Sequence, residues 1–278
     1  SLLLALAADR GFYSFLAADY LKTAYAFNSR PPLMAQTPHL KALPAVRRIG
    51  ELHYHKERNL AHSEWAKVLR DAPDAERQEE LAHLASGEGW HRMAIDAANR
   101  ARAWDVLDLR FPTPYQDVFT AHAALQKVPS TELMAIARRE SAFFPEARST
   151  VGARGLMQIM PATGAQVAKK IGQSHRTTDL YEVDHNVLLG STYYRQLLDR
   201  YDANRIFALA AYNAGPHRVN RWRSAAGSEI PIDLWIETIP FKETREYVQA
   251  VLAYNVVFQY LIGDTHSLLT VKERQARY

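Results

Sequence analysis

One glutamate in the chain has the position and the neighbours that acid catalysis requires. It is Glu140, at the end of VPSTELMAIARRE, where Ser130 after Pro129 is the predicted N-cap of a helix. Leu133 and Ile136 precede it at helical spacing, so the three side chains share one face. Burial on that face and the unpaired carbonyl groups of the helix end both raise the pKa of the carboxyl group. A general acid needs such a raised pKa near neutral pH.

An ordinary helix-end role for Glu140 is the alternative. Arg138, Arg139 and Arg148 lie close in sequence, and a helix-end carboxylate often pairs with such cations. The next segment, STVGARGLMQIMP, favours a site, because its glycines allow close backbone approach and Gln158 stands between methionines. We therefore predict that this segment forms one wall of a binding cleft.

A later motif adds two residues suited to a polar ligand such as a sugar. FALAAYNAGPHRV predicts an apolar helix that ends at Gly215–Pro216, with Tyr212 and Asn213 in its last turn. Both side chains form hydrogen bonds readily at the edge of a core. Core packing and capping are the alternative explanation.

The last motif pairs a carboxylate with a phenol. IPFKETREYVQAVLAYN places Glu243 and Tyr247 four residues apart, on one face of a predicted helix. A salt bridge of Glu243 with Lys242 or Arg245 is the alternative to a site role.

Helices are the elements that must hold these side chains. QEELAHLASGEGWHRMAIDAANRARAWDVLDLRFP has the pattern of short paired helices, broken near Gly87–Gly89 and stopped by Pro112. No run alternates between apolar and polar residues in the manner of a strand. The two prolines of RFPTPYQD mark a boundary. We predict an all-α chain, with helical hairpins to about residue 112 and a compact helical domain after it.

Composition excludes several kinds of chemistry. The 278 residues contain no cysteine, which rules out disulfides, thiolate catalysis and cysteine-ligated metals. The histidines, among them His53, His55, His175, His185 and His217, show no spacing typical of zinc ligands, so no metal and no cofactor is predicted. No apolar run reaches the roughly 20 residues of a membrane span. The apolar start SLLLALAADRGFYSF lacks the basic residues of a signal peptide, and we interpret it as a first helix.

A binding scaffold without catalysis is the other class of function that the residues leave open. The net charge of +4 favours an anionic partner such as nucleic acid, a membrane surface or an acidic cell-wall polymer. HRVNRWRSAAG surrounds Trp222 with Arg218, Arg221 and Arg223, an arrangement able to stack a base and contact phosphate. A solvated basic helix with one packed tryptophan explains it more simply, so no nucleic-acid partner is predicted.

Four motifs in order carry a resemblance to a known family. RRES, GLMQIMP, AYNAGP and IPFKETREYV follow one another as in the soluble lytic transglycosylases of bacterial cell-wall metabolism, which residues 113–278 resemble. The resemblance implies a helical catalytic domain similar to goose-type lysozyme. Residues 41–112 look like the helical linker domain of the large periplasmic members, and residues 1–40 like the end of their ring-shaped α-superhelical domain.

The resemblance also implies roles for individual residues. Glu140 matches the single catalytic acid/base of the family, and Ser149 would lie near the bond that breaks. Tyr212 and Asn213 would bind the N-acetylated sugar and orient the acid. The other implied contacts line the groove or its far wall: Gln158, Met160, Thr163, Glu243 and Tyr247.

The implied reaction cleaves the β-1,4 bond between N-acetylmuramic acid and N-acetylglucosamine in peptidoglycan without adding water. Glu140 would protonate the glycosidic oxygen and then take the proton of the muramic acid 6-hydroxyl, which closes a 1,6-anhydro end. Lysozyme-like hydrolysis is the alternative, and it needs a second carboxylate about 5–9.5 Å away. Glu243 is the most credible partner, since Asp184 is a predicted N-cap, Asp179 lies in a polar loop and Glu146 on the surface.

The cellular setting is likewise implied by the resemblance. Peptidoglycan glycan strands are the expected binding partner, and cell-wall synthases are expected neighbours of a monomeric enzyme. The expected location is the periplasm, free or associated with the outer membrane, with a signal peptide removed upstream.

Overall fold

The fold consists of helices. A computed structural model describes residues 2–31, 37–226 and 229–275. Over these ranges the chain forms 17 α-helices and one 3₁₀ helix, together with two isolated β-bridges and no strand. The all-α class predicted from the helical periods is therefore confirmed. None of the described helices has both the length and the hydropathy that crossing a membrane requires.

The helices before the proline-rich boundary are short. They are α1 (Leu2–Ala7), α2 (Phe12–Leu21), α3 (Pro38–Lys41), α4 (Pro44–Tyr54), α5 (Arg58–Asp71), α6 (Ala75–Gly87), α7 (His91–Arg100) and α8 (Leu107–Arg110). The predicted break between α6 and α7 is present, with Gly89 in a left-handed conformation at φ 72°. Trp65 of α5 is buried between these helices, and its indole N–H donates to the Met93 carbonyl at 3.0 Å.

The helices after the boundary surround a larger core. They are α9 (Gln116–Gln126), α10 (Ser130–Ser141), α11 (Pro161–Lys170), the 3₁₀ helix (Thr177–Tyr181), α12 (Val183–Arg200), α13 (Arg205–Ala214), α14 (Pro216–Ala226), α15 (Ile232–Thr238), α16 (Lys242–Leu261) and α17 (Val271–Gln275). The predicted end of α13 is confirmed, because Gly215 follows it at φ 89° and Pro216 begins α14.

Two large apolar cores stabilise the described part of the chain. The smaller core lies within residues 40–109, and the larger one joins the helices after the boundary. The larger core also takes in Phe12 and Phe15 of α2. In addition, Phe27 stacks on Tyr260 of α16, with ring centroids 3.9 Å apart. Helix α2 thus packs against α16, although α3 to α15 and the 3₁₀ helix lie between them in sequence.

Helix α10 runs through the larger core and carries Glu140 near its end. Its residues 131–138 are buried, and it packs against α9 and α16. The predicted N-cap is one residue off, because Pro129 takes the extended cap conformation and Ser130 is already helical. Arg138 is buried, and its guanidinium donates to the Arg110 carbonyl at 2.7 Å. The C-terminal half of α10 is therefore fixed to the end of α8.

A buried ion pair fixes the start of α13. Arg205 donates two hydrogen bonds to the Glu273 carboxylate of α17, at 2.8 and 2.7 Å. Glu273 is 2 % exposed and also accepts the Thr270 backbone N–H at 2.8 Å. Burial opposes ionisation of Glu273, but the hydrogen bonds and charge of Arg205 outweigh it and lower the pKa of the carboxyl group.

We expect Glu273→Gln to lower the free energy of unfolding by about 3 kcal/mol, because it removes the closer of two buried counterions and leaves Arg205 with Glu132 alone, 3.6 Å away. The exposed Glu246→Gln, which breaks a surface pair with Lys242, is the control and should change the free energy by less than about 0.5 kcal/mol. Because folding lowers the Glu273 pKa, the ion pair contributes its full stabilisation at pH values above the unfolded-state pKa of about 4.3. This stabilisation is lost as the pH falls and the carboxylate becomes protonated. Urea unfolding at neutral and acid pH measures both effects. Equal losses for the two variants would contradict the assignment.

Candidate active site

Glu140 faces a cleft that two parts of the chain line together. The cleft has a volume of about 380 Å³, and Glu140 is half-buried in its wall. The loop after α10 contributes Ala147, Arg148, Ser149 and Gln158 to the lining. Helix α7 contributes Arg92 and Asp96 from the opposite side. Helix α7 belongs to the hairpins before the boundary, so both parts of the chain form this site.

The carboxyl group of Glu140 is poised to hold a proton at neutral pH. Its pKa is raised to about 8, mainly because burial removes water from the charged form. The negative charge of Glu243 adds to this rise, while the Tyr247 hydroxyl and Arg139 work against it. Within the described residues, no Lys, Arg or His nitrogen lies within 4.0 Å of the Glu140 carboxylate. The alternative of a salt bridge with Arg138, Arg139 or Arg148 is therefore not what the structure shows.

The loop opposite Glu140 is held by one buried asparagine of α12. Asn186 is 1 % exposed, and its side-chain oxygen accepts the Met157 N–H at 2.8 Å. Its amide group donates to the carbonyls of Arg154 and Leu180, at 2.9 and 2.8 Å. Gly155 is necessary here: its φ is 78°, and a Cβ would lie 2.1 Å from the Leu180 oxygen.

Gln158 and Ser149 line the cleft together with Glu140, and their polar atoms also shape the loop. The Gln158 amide donates to the carbonyls of Ala147 and Gly155, at 3.1 and 2.9 Å. The Ser149 hydroxyl accepts the Ala153 N–H at 3.0 Å.

Two of the predicted groove residues lie outside the lining of this cleft. Met160 is 40 % exposed directly before α11, and Thr163 is half-buried in the first turn of that helix. Their predicted contacts with a substrate stay a prediction.

The predicted pair on α13 joins the loop to α16. The Tyr212 hydroxyl donates to the Met157 carbonyl at 2.9 Å, and the Asn213 side-chain oxygen accepts the Thr244 hydroxyl at 2.7 Å. Burial raises the Tyr212 pKa, and the nearby charge of Glu140 raises it further. Tyr212 is thus close to the acid, while its hydroxyl is already used in the fold.

Of the predicted pair on α16, Tyr247 is buried and Glu243 is exposed. Tyr247 is 3 % exposed, and burial followed by the charge of Glu140 raises the pKa of its phenol. Its hydroxyl lies near the Glu140 carboxyl group but forms no hydrogen bond of normal geometry in the described structure. Glu243 is exposed in the first turn of α16, and among the described residues it has no salt bridge, because Lys242 pairs with Glu246 instead.

The other candidate carboxylates are engaged elsewhere. Glu146 pairs with Arg58 at 2.6 Å, and Asp179 pairs with Arg176 at 3.1 Å. The prediction that Asp184 is an N-cap is wrong: Glu182 holds that position. Asp184 lies in the first turn of α12 instead, with a carboxylate oxygen 2.9 Å from the His122 Nε2.

Asp96 is a site residue that the sequence did not reveal. It lines the cleft from α7, and burial raises the pKa of its carboxyl group. The pattern of α7 shows only an amphipathic helix with Arg92 four residues before Asp96, a spacing typical of a surface ion pair. No local signal relates this helix to Glu140.

A cluster of three side chains that could bind a cation was also not predicted from the sequence. Among the described residues, His175, Asp179 and His185 place one potential ligand atom each within 4.8 Å of one another. The 3₁₀ helix between the two histidines brings them together, although their spacing matches no common zinc pattern.

Three family models match successive parts of the chain. The transglycosylase SLT domain matches residues 117–234, which include Glu140 and the loop opposite it. The soluble lytic murein transglycosylase L domain matches residues 39–107, which include α7. The soluble lytic transglycosylase helical domain matches residues 238–266.

Individual proteins are similar over nearly the whole chain. The soluble lytic murein transglycosylase of Salmonella typhimurium is 37 % identical over 276 residues, covering 99 % of this chain and 43 % of that protein. The crystal structure of the 70 kDa soluble lytic transglycosylase from Escherichia coli superimposes with a TM-score of 0.94 at 35 % identity, covering 99 % of this chain and 45 % of that one. The structure of an inactive Glu-to-Gln mutant of the lytic transglycosylase Slt from Pseudomonas aeruginosa superimposes with a TM-score of 0.92 at 36 % identity. The match covers 100 % of this chain and 45 % of that one.

The chain thus spans less than half of the length of the relatives that it matches. Over that span the order of the motifs, the helical architecture and the position of the family models agree. The chain belongs to the soluble lytic transglycosylase family.

Proposed function

We propose that this chain cleaves the β-1,4 bond between N-acetylmuramic acid and N-acetylglucosamine of peptidoglycan by non-hydrolytic transglycosylation. The observation that carries the proposal is the state of Glu140: a carboxyl group in an open cleft, without a cationic partner among the described residues, with a pKa of about 8. The names of the relatives, which are murein transglycosylases, support the substrate class.

The first step is proton donation. Protonated Glu140 gives its proton to the glycosidic oxygen, the bond to the anomeric carbon breaks, and the N-acetylglucosamine hydroxyl leaves. The N-acetyl carbonyl of the muramic acid stabilises the positive charge that develops on the anomeric carbon. Glu140 becomes a carboxylate, and Tyr247 and Arg139, which favour its ionised form, then stabilise it.

The second step closes the product ring. The Glu140 carboxylate takes the proton of the muramic acid 6-hydroxyl, whose oxygen attacks the anomeric carbon. This forms a 1,6-anhydro end and returns Glu140 to its protonated state, so no water is consumed. One carboxyl group serves both steps, which accords with the ion pairs of Glu146 and Asp179 with arginines and the contact of Asp184 with the His122 ring.

Hydrolysis by a second carboxylate is the alternative function, and specific residues favour it. Glu243 is unpaired among the described residues and close enough for its charge to raise the Glu140 pKa. Asp96 lines the same cleft. If either of them activates a water molecule, the product carries a reducing end instead of an anhydro end.

Several further parts of the proposal rest on the relatives. Inactivity of a Glu-to-Gln mutant in the Pseudomonas aeruginosa relative supports an essential glutamate, which we assign to Glu140. We also propose the periplasm as the location and glycan strands as the partner. The division at residues 40 and 112 into a superhelical end, a linker and a catalytic domain completes the proposal.

The products of a peptidoglycan digest test the proposed reaction. We expect wild type to release muropeptides that are lighter by one water than their reducing counterparts, since the 6-hydroxyl replaces water. Glu140→Gln should lower the rate by at least about 10²–10⁴, because proton transfer is lost. Glu246→Gln, on the surface of α16, is the matched control and should retain the wild-type rate. Mass spectrometry resolves the two kinds of end, and reducing ends from wild type would instead establish hydrolysis.

The unpartnered hydroxyl of Tyr247 makes a second, separable prediction. Tyr247→Phe should raise the free energy of unfolding by up to about 1 kcal/mol, because the buried hydroxyl satisfies no hydrogen bond in the described structure. It should also lower kcat about tenfold, because the Glu140 anion loses a neighbouring dipole. Urea unfolding and initial rates on peptidoglycan measure the two effects. A destabilised variant with unchanged kcat would show that the hydroxyl serves the fold.

A further inference from the structure

Two histidines and an aspartate meet on the surface of the catalytic part, on the segment that joins α11 to α12. His175 precedes the 3₁₀ helix, Asp179 lies within it, and His185 is in the first turn of α12. The Nδ1 of His175 lies 3.0 Å from the Nε2 of His185. All three side chains are half-buried, so they are held in place and still reachable from solvent.

The atoms that face one another suit cation binding. A neutral imidazole has one ring nitrogen with a lone pair, and His175 Nδ1 and His185 Nε2 are the two nitrogens that an ion would meet. The Arg176 backbone N–H and side chain lower the pKa of Asp179, which is therefore ionised. Arg176 contacts both oxygens of Asp179, one through its backbone N–H and the other through its guanidinium, so an ion would bind at the lone pairs that these contacts leave.

Binding an ion requires both imidazole rings to turn. The two rings are parallel to within 7°, and their centroids are 5.3 Å apart, so the nitrogens face each other along one line, as in an N–H···N hydrogen bond. A zinc ion binds imidazole nitrogen at about 2.0–2.1 Å, and must lie beside that line, so each ring has to turn by roughly 40°. His175 packs against the backbone of α11, where a Cβ on Gly164 would lie 3.3 Å from its ring. The close contact of His175 with α11 means that His185 would move most.

We propose that His175, Asp179 and His185 form a binding site for a divalent transition-metal ion of the zinc class. Two imidazoles and one carboxylate are a ligand set that zinc accepts, with a fourth position open to water, whereas magnesium and calcium prefer oxygen ligands alone. The residues lie outside the lining of the Glu140 cleft, so the ion takes no part in the proposed reaction.

The bound ion would stabilise the support of the active-site loop. His185 directly precedes Asn186, which holds the loop through Met157 and Arg154. An ion that ties His185 to the 3₁₀ helix restricts the start of α12 on which Asn186 lies. Binding to the folded chain alone also stabilises it in proportion to the occupancy of the site.

Isothermal titration of ZnCl₂ into chelator-treated full chain tests the proposal. We expect one saturable zinc site per chain in wild type and no saturable binding of MgCl₂ under the same conditions. His185→Gln should weaken zinc binding at least about tenfold, and Asp179→Asn should weaken it as well. The exposed His217→Gln, remote in sequence from the three ligands, is the matched control and should bind like wild type.

Thermal unfolding provides a second readout that does not depend on activity. Zinc at 100 times its dissociation constant should raise the midpoint of wild type and of His217→Gln by roughly 5 °C, and that of His185→Gln by much less. Absence of saturable binding in wild type would overturn the proposal. Equal binding by wild type, His185→Gln and Asp179→Asn would also overturn it, because the ion would then lie elsewhere.

Discussion

The rest of the site depends on keeping one carboxyl group partly out of water without a cation beside it. A glutamate in this state is unfavourable when ionised, and an arginine that moved within contact would remove its raised pKa. The fold prevents this. Arg138, next but one before Glu140, is directed to the Arg110 carbonyl and lies over the rings of Phe111 and Tyr254. The Arg138 guanidinium is thus held by a different part of the chain, and Arg139, which is exposed, lowers the Glu140 pKa without outweighing burial.

The same arrangement makes the helices before the boundary a part of the site. Helix α7 brings Arg92 and Asp96 to the cleft, and Arg92 also lies over the Phe144 ring in the loop after α10. Arg58 of α5 pairs with Glu146 of that loop. The loop is therefore held from one side by the hairpins and from the other by Asn186 of α12. A chain cut at the boundary would lose the part of the cleft lining that Arg92 and Asp96 supply.

The sequence predicted what depends on local pattern and missed what depends on distant contacts. The helical class, the break before α7, the end of α13 at Gly215 and the inward face of Glu140 follow from periodicity and from glycine and proline. The N-cap assignments at Ser130 and Asp184 failed by one or two residues, because the neighbouring Pro129 and Glu182 take the extended conformation first. Asp96 was missed because packing between separate parts of the chain brings α7 to the cleft. The His175–His185 pair was missed because the 3₁₀ helix between them brings the rings together at a spacing that matches no common zinc pattern.

The measurement that tests the central claim most directly is the titration of Glu140 itself. The ¹³C resonance of its carboxyl carbon, identified by its absence from the spectrum of Glu140→Gln, can be followed from acid to alkaline pH. We expect a midpoint at about 8, so that the group is mostly protonated at neutral pH and able to act as the acid. A midpoint near the ordinary glutamate value of about 4.3 would mean that Glu140 is ionised at neutral pH, and the proposed first step would lack its proton donor.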